Sequence, residues 1–162
     1  MYLPKLWTNI ADRLEADTTL MGYMPTGARI MNDVNYDDAD LPLVSYNVVS
    51  DTANDAFRLR SREVSFDIHV YVERFAKNRP TVSGQDSGFD VASNILTRIL
   101  GDWPAQSYGT APTYGLDRWT PALTDSGWVS TIVEHKASRE DHSREVLHWV
   151  LEFRAIISQA AV

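Results

Sequence analysis

The chain has 162 residues, 44% of them hydrophobic and 23% charged, which suits one domain with a real hydrophobic core. It contains no cysteine, which excludes disulfides, Cys-ligated zinc and thiol catalysis and suits a chain made in the cytoplasm. Its formal net charge of −7 argues against a protein whose main task is to grip nucleic acid. We expect no membrane-spanning segment and no signal peptide, because neither pattern occurs in the sequence.

The first third of the chain predicts a helix followed by two strands. Apolar residues recur at three- and four-residue spacing over residues 6–20, which predicts an amphipathic helix. A short strand is predicted at 28–31, and the polar, acidic stretch 32–40 is predicted to be a loop. Residues 42–50 alternate in polarity after Pro42, which predicts a second strand. Residues 51–62 then form a polar connection.

The strongest pattern in the sequence is the strand predicted for residues 63–73. Its polarity alternates without a break, and polar residues occupy the second face. The apolar face consists of Val64, Phe66, Ile68, Val70 and Val72. A strand with one apolar and one polar face belongs in an antiparallel or mixed sheet, so we expect helices to cover the apolar face.

The second half of the chain predicts a helix and two long strands. A helix is predicted over residues 88–100, with Gly101 just past its end. Its predicted apolar set is Phe89, Ala92, Leu96 and Ile99. The aromatic, Pro- and Gly-containing segment 102–126 is predicted to be a long loop. Strands are predicted over 127–137 and 144–158, joined by a polar turn.

These elements predict an α+β fold in the order α-β-β-β-α-β-β. We expect one twisted mixed or antiparallel sheet of four to five strands, with two helices packed on one face. The whole chain, 1–162, is predicted to be a single domain. The predicted core contacts join Phe66, Ile68, Val70, Leu151 and Phe153 of the sheet to Ile10, Leu14, Leu96 and Ile99 of the helices.

The sequence nominates no catalytic residue, no cofactor site and no metal site, so we predict that the protein is not an enzyme. The acidic run 33–38 has Asp38 and Val44 where a calcium loop needs Gly and Glu. Ser87 lacks the preceding glycine of a nucleophile elbow and is interpreted as a helix cap. The histidines lack the helical spacing of a zinc site, and Asp67 and Glu73 are interpreted as solvated carboxylates.

Three features are candidate contact surfaces, and each has a plainer alternative. Their residues are Arg58, Arg60 and Arg62, then Trp103, Tyr108, Tyr114 and Trp119, and finally the outer side of the last strand with His148. The arginines either present a row of guanidinium groups to a partner or form a solvated lead-in to the strand. The aromatic segment either contacts a partner or packs as a flap on its own sheet. The last strand is too apolar on its outer side for a fully solvated face, which is typical of a subunit interface.

Four stretches together resemble the tail terminator, or tail-completion, proteins of tailed bacteriophages. They are Leu-Pro-Leu-Val-Ser-Tyr at 41–46, Val-Ser-Phe-Asp-Ile-His-Val-Tyr at 64–71, Asp-Val-Ala-Ser-Asn-Ile-Leu at 90–96 and Trp-Val-Leu-Glu-Phe-Arg at 149–154. An amphipathic helix and a short strand precede the first stretch. The resemblance covers most of the chain in order and size, and segment 102–126 is interpreted as an insertion.

The resemblance implies a structural virion protein that assembles as a homo-oligomeric, hexameric ring at the tail–neck junction. Such a ring caps the tail tube, ends its polymerisation and docks to a neck, connector or stopper protein. DNA would pass through its pore without specific binding, and no membrane is involved. The alternatives are another neck protein, such as a head-closure or stopper ring, and a small α+β hydrolase or ligand-binding domain.

Overall fold

The computed structural model describes residues 3–32, 40–53, 60–74, 88–101, 112–121 and 128–159. These residues contain three helices, α1 (Leu3–Glu15), α2 (Thr18–Met21) and α3 (Gly88–Leu100). They also contain five strands, β1 (Met31–Asn32), β2 (Leu43–Ala53), β3 (Ser61–Glu73), β4 (Trp128–Glu140) and β5 (Val146–Gln159). None of the helices in this part of the chain is long and apolar enough to cross a membrane.

The strands form one mixed sheet in the order β1-β2-β3-β5-β4. The short β1 pairs parallel with β2, and every other pairing is antiparallel. β3 lies at the centre, because it pairs over its whole length with β5 and over most of it with β2. The predicted α+β class, with one mixed sheet, is confirmed; α2 is an additional helix of four residues.

The core lies between one face of the sheet, called here the inner face, and the helices. Every apolar residue of the alternating β3 pattern is fully buried on this face. Phe66 and Phe153 are register partners on β3 and β5, and their rings stack at 5.5 Å between centroids. Trp7 of α1 packs edge-on against Phe66. The predicted core residues are buried, except that Leu96 is only partly buried.

The first predicted helix is divided in two by Asp17. Its carboxylate accepts hydrogen bonds from the backbone N–H groups of Thr19 and Leu20, which caps the start of α2. Arg98 of α3 donates to the same carboxylate through Nε and Nη2, at 2.7 and 2.8 Å. Burial raises the pKa of Asp17, but the Arg98 hydrogen bond and these backbone donors outweigh it, so the pKa is lowered overall. A single carboxylate thus joins the N-terminal helices to α3.

The buried side of α3 differs from the predicted one at its first turn. The residues that face the sheet are Val91, Ala92, Ile95 and Ile99. Phe89 was predicted to be in the apolar set, but it is 47% exposed. It instead lies edge-on to Trp149 and His142, at the end of the sheet where the helix begins. The buried side of α3 therefore includes Ala92, whose small side chain lets the helix approach the strands closely.

The strands around the polar connection 51–62 are longer than the sequence predicts. β2 continues to Ala53 and β3 already begins at Ser61, so both ends of the predicted connection belong to strands. Arg62 donates to both carboxylate oxygens of Asp51, at 2.7 and 2.8 Å. This bidentate pair joins β2 and β3 near their paired ends, next to the buried Val64.

Residues 112–121 pack against the helices and against the edge of β4. Arg13 of α1 donates to the carbonyl groups of Pro112 and Gly115, and Leu116 is fully buried. Arg118 donates its backbone N–H to the carbonyl of Val133, whose own N–H donates to the carbonyl of Trp119. These bonds occupy part of the outer edge of β4, which would otherwise present unpaired backbone groups.

Candidate functional site

The outer face of the sheet, opposite the helices, is the candidate functional site. Among the described residues no helix lies over this face, yet four of its residues are buried: Leu43 at 9% exposure, Ser45 at 3%, Asp67 at 6% and Val150 at 2%. The expectation that Asp67 is a solvated carboxylate is therefore wrong. The side chains of the neighbouring strands cover it, which a single strand pattern does not reveal.

His69 and His148 form a hydrogen-bonded pair on this face, as neighbours on β3 and β5. His69 Nδ1 lies 2.9 Å from His148 Nε2, and His69 Nε2 lies 2.6 Å from the side-chain oxygen of Asn47 on β2. Because an amide oxygen only accepts, His69 Nε2 carries the hydrogen of the neutral ring. His69 Nδ1 is then the acceptor, and His148 Nε2–H is the donor.

The ring of Tyr71 covers the histidine pair from one side. It stacks on His148 with centroids 4.2 Å apart and planes 15° apart, and the two residues are register partners. Burial lowers the pKa of His148 from 6.5 to about 4, with a further lowering from the charge of His69. His148 is therefore neutral at physiological pH.

An ion cluster lies beside the histidine pair and contains Asp67, Arg139 and Glu152. Asp67 and Glu152 are register partners, and Arg139 of β4 donates to Glu152 and lies 3.5 Å from Asp67. Burial raises the pKa of Asp67, and the charge of Glu152 adds to this, while Arg139 and His69 oppose it. The single arginine thus pairs with two adjacent carboxylates across three strands.

Further ion pairs extend over the rest of the outer face. Arg154 donates to Glu134 at 3.0 Å and to Glu63 at 3.4 Å, which joins β5 to its neighbours on both sides. Lys136 also pairs with Glu134. These charges satisfy one another within the chain, so the outer face presents a neutralised surface and not a patch of one sign.

The turn between β4 and β5 connects the outer face to the aromatic residues beside α3. The backbone N–H of His148 donates to His142 Nδ1, and the His142 ring packs against Trp149 at 4.4 Å. Trp149 in turn donates its Nε1–H to Glu140. These contacts therefore hold the two ends of the turn, Glu140 and His148, against Trp149 and His142.

The edge of β2 is open beyond the short β1. β1 pairs only with Ser45 and Tyr46, and no other strand of the described residues pairs with the rest of this edge. A β-bulge lies between Val48 and Ser50, and Val48 and Val49 are 40% and 58% exposed. Exposed apolar residues beside an unpaired edge favour contact with another chain.

A pocket of about 280 Å³ lies between the end of α2 and the start of β2. Its walls are mostly apolar and include Met24, Ile30 and Leu43, with Arg29 and Asp40 as its charged residues. The histidine pair does not line it. This pocket is therefore separate from the titratable cluster of the outer face.

The sequence-predicted contact residues lie in three different places. Arg60 is exposed beside the end of β5, and its carbonyl accepts from Gln159, whereas Arg62 pairs with Asp51. The guanidinium group of Arg98 lies 3.5 Å from the Tyr114 ring centroid, and Trp119 packs against the core. Arg58, Trp103 and Tyr108 lie outside the described residues. The described aromatic residues therefore fit the flap interpretation.

Of the predicted site residues that the structure describes, His148 is the one that lies in the outer-face cluster. The other members of this cluster, which include Asn47, Asp67 and Arg139 on three other strands, were not predicted from the sequence. The sequence signal for this cluster was the alternation in β3, which placed Asp67 and His69 on one face. In the described residues, no three histidine or carboxylate side chains converge to hold a metal ion.

The comparisons with known proteins assign no family to the chain. No protein-family model matches the chain, and no curated protein matches it significantly.

Proposed function

We propose that the chain is the subunit of a tail terminator of a tailed bacteriophage. In this role it forms a hexameric ring that caps the tail tube, ends its polymerisation and joins the tail to the neck or connector. The observation that carries the proposal is the sheet itself, which in the described residues has helices on one face only and a partly apolar β2 edge that is mostly unpaired. The resemblance of the four sequence stretches supports the same role.

A ring needs two unlike surfaces on each subunit, because each copy contacts the next head to tail. The two sides of this sheet are unlike. The β2 side exposes Val48 and Val49, whereas part of the β4 side is occupied by residues 118–119. Apolar residues at the centre of a contact and charged residues around it are typical of such interfaces.

The proposal places the ring in the virion, at the junction of tail and neck. Each of its copies brings a formal charge of −7, so DNA passes through the pore without specific binding. The proposed partners are the tail tube protein and a neck or stopper protein. Arg60, which is exposed, and Arg58 are the proposed contacts to acidic groups of one of these neighbours.

Electron microscopy of the purified full-length chain, with and without tail tubes of the corresponding phage, tests the proposal. We expect rings in solution or caps on one end of the tubes, and tubes of defined length when the chain is present during assembly. A chain that stays monomeric and leaves both tube ends bare would overturn the proposal. Rings that bind heads but not tubes would favour the other neck proteins.

A small hydrolase is the second candidate, favoured by the histidine pair beside the buried Asp67. A general base next to a carboxylate is a common catalytic arrangement. Ester and phosphoester substrates distinguish the two candidates. Turnover that disappears in His148→Gln but persists in His135→Gln would support the hydrolase, and equal background rates in all three proteins would eliminate it.

A further inference from the structure

The hydrogen bonds of the histidine pair join three strands through their side chains. Asn47 belongs to β2, His69 to β3 and His148 to β5, and the two bonds measure 2.6 and 2.9 Å. His69 is the register partner of Val150, which is 2% exposed although it lies on the outer face. The pair therefore covers an apolar residue as well as linking the strands.

The hydrogen bond between the two imidazole rings allows only one hydrogen between the two facing nitrogens. At 2.9 Å, one of the two facing nitrogens must be unprotonated to accept from the other. When both rings are cationic, every ring nitrogen carries a hydrogen, so two N–H groups point at each other across this contact. The bond then becomes a repulsion between like charges, and the rings must separate.

We propose that His69 and His148 form a proton-controlled clasp on the outer face of the sheet. The clasp is closed while one of the two facing nitrogens is unprotonated, and acid opens it by protonating both. Opening uncovers Val150 and removes the stacking partner of Tyr71. The proposal concerns the free subunit and does not depend on the proposed function.

The charges around the clasp set the conditions under which it opens. The titratable and charged groups that face it are Asp67 and Tyr71 on β3, Glu152 on β5, Arg139 on β4, and Asp141 and His142 in the turn. β2 contributes the neutral Asn47. Arg139 and His142 disfavour a charged His148, whereas Asp141, 3.9 Å from His148 Nδ1, favours it. Burial of His148 dominates the lowering of its pKa, so the closed state persists well into mild acid.

The consequence of opening is a change in the surface that a partner meets. In the closed state the outer face shows neutral imidazole edges and paired ions. In the open state it shows two imidazolium groups and an uncovered valine. A partner that binds the closed face therefore binds less well in acid, which is how histidine clusters switch interfaces in other proteins.

Nitrogen-15 NMR of the histidine side chains, recorded from about pH 8 to about pH 4, tests the clasp directly. In the closed state we expect both rings in the Nε2–H tautomer, with a coupling through the hydrogen bond between His148 Nε2 and His69 Nδ1. We expect His148 to titrate at least about one unit below its ordinary value of 6.5, together with amide shifts at Asn47, Tyr71 and Val150. Two rings that titrate independently near their ordinary value would overturn the proposal.

His148→Gln separates the clasp from general effects of acid. Its amide nitrogen can still donate to His69 Nδ1, but it cannot be protonated, so the acid-induced shifts at Tyr71 and Val150 should disappear. His135→Gln is the matched control, because His135 bonds to Ser138 outside the pair. Unchanged acid shifts in His148→Gln would contradict the proposal. If that variant does not fold, the tautomers and titration of the wild-type chain decide the question alone.

Discussion

At the scale of single residues, His148 links the stability of the chain to pH. Burial lowers the pKa of its folded form to about 4, below the ordinary value of 6.5. The unfolded chain therefore binds more protons between these values, and stability is lost as pH falls through this window. By about pH 5 the loss attributable to His148 is about 2 kcal/mol.

Urea unfolding at several pH values measures this effect. We expect the unfolding free energy of the wild-type chain to fall more steeply between about pH 7 and about pH 5 than that of His148→Gln. His135→Gln should follow the wild-type slope. Equal slopes in all three proteins would show that His148 titrates at its ordinary pKa in the folded chain.

Gly115 is a second residue whose role follows from its immediate surroundings. It has a φ of +84°, and a Cβ there would lie 2.7 Å from the backbone carbon of Leu100 and still closer to Gly101. Gly27 also has a positive φ, +79°, but a Cβ there would meet no atom within 4 Å. Substitutions at the two glycines therefore separate the cost of backbone strain from the cost of a steric clash.

We predict that Gly27→Ala costs about 1 kcal/mol of unfolding free energy, which is the cost of the left-handed conformation. Gly115→Ala should cost about 3 kcal/mol or more, because residues 112–121 must also move away from the end of α3. Chemical denaturation of both variants checks the difference. Equal costs would mean that the contact between Gly101 and Gly115 is not maintained in solution.

At the scale of secondary-structure elements, the stacked pair of Phe66 and Phe153 joins β3 and β5 under the helices. Both side chains are almost fully buried, and Trp7 of α1 packs against Phe66. We predict that Phe66→Ala or Phe153→Ala costs roughly 3–5 kcal/mol, as large deletions in a core do. Thermal and chemical unfolding provide the measurement.

Phe89→Ala is the matched control for these core variants. Phe89 is also aromatic and also contacts Trp149, but it is 47% exposed. We expect a cost of about 1 kcal/mol, because much of its apolar area already contacts water in the folded chain. If all three variants lost the same stability, the assignment of the inner face would be wrong.

At the scale of the whole molecule, the exposed Arg60 tests the proposed docking of the ring. Arg62 pairs with Asp51, so reversing its charge would place two carboxylates together within the subunit. We therefore predict the effect of Arg58→Glu combined with Arg60→Glu. The variant should fold, because surface changes cost under about 0.5 kcal/mol each, but heads and tails should fail to join.

Arg60→Glu alone and Arg144→Glu form a matched pair for this experiment. Both arginines are exposed, and both changes shift the net charge equally. Head–tail joining in a complementation assay should fall with Arg60→Glu and stay normal with Arg144→Glu. Normal virions from the Arg58→Glu, Arg60→Glu variant would leave these residues without a docking role.

The sequence by itself determined the class of the fold and the buried faces of β3 and β5. The unbroken alternation in β3 and β5 placed Phe66 and Phe153 inside, because successive side chains of a strand point to opposite faces. The helical spacing around Ile10 and Ile99 placed those residues against the sheet. These are local regularities, so a single segment contains the information needed to predict them.

Only the tertiary structure decided the composition of the outer face. His69 and His148 are 79 residues apart, and Asn47 of β2 and Arg139 of β4 lie beside them. Their contacts depend on strand order and register, which the pattern within one strand does not contain. The same reason applies to Asp17. Its role as a helix cap involves only neighbouring residues, whereas its ion pair with Arg98 requires α3 to pack beside it. Long-range register therefore decided where the candidate site lies.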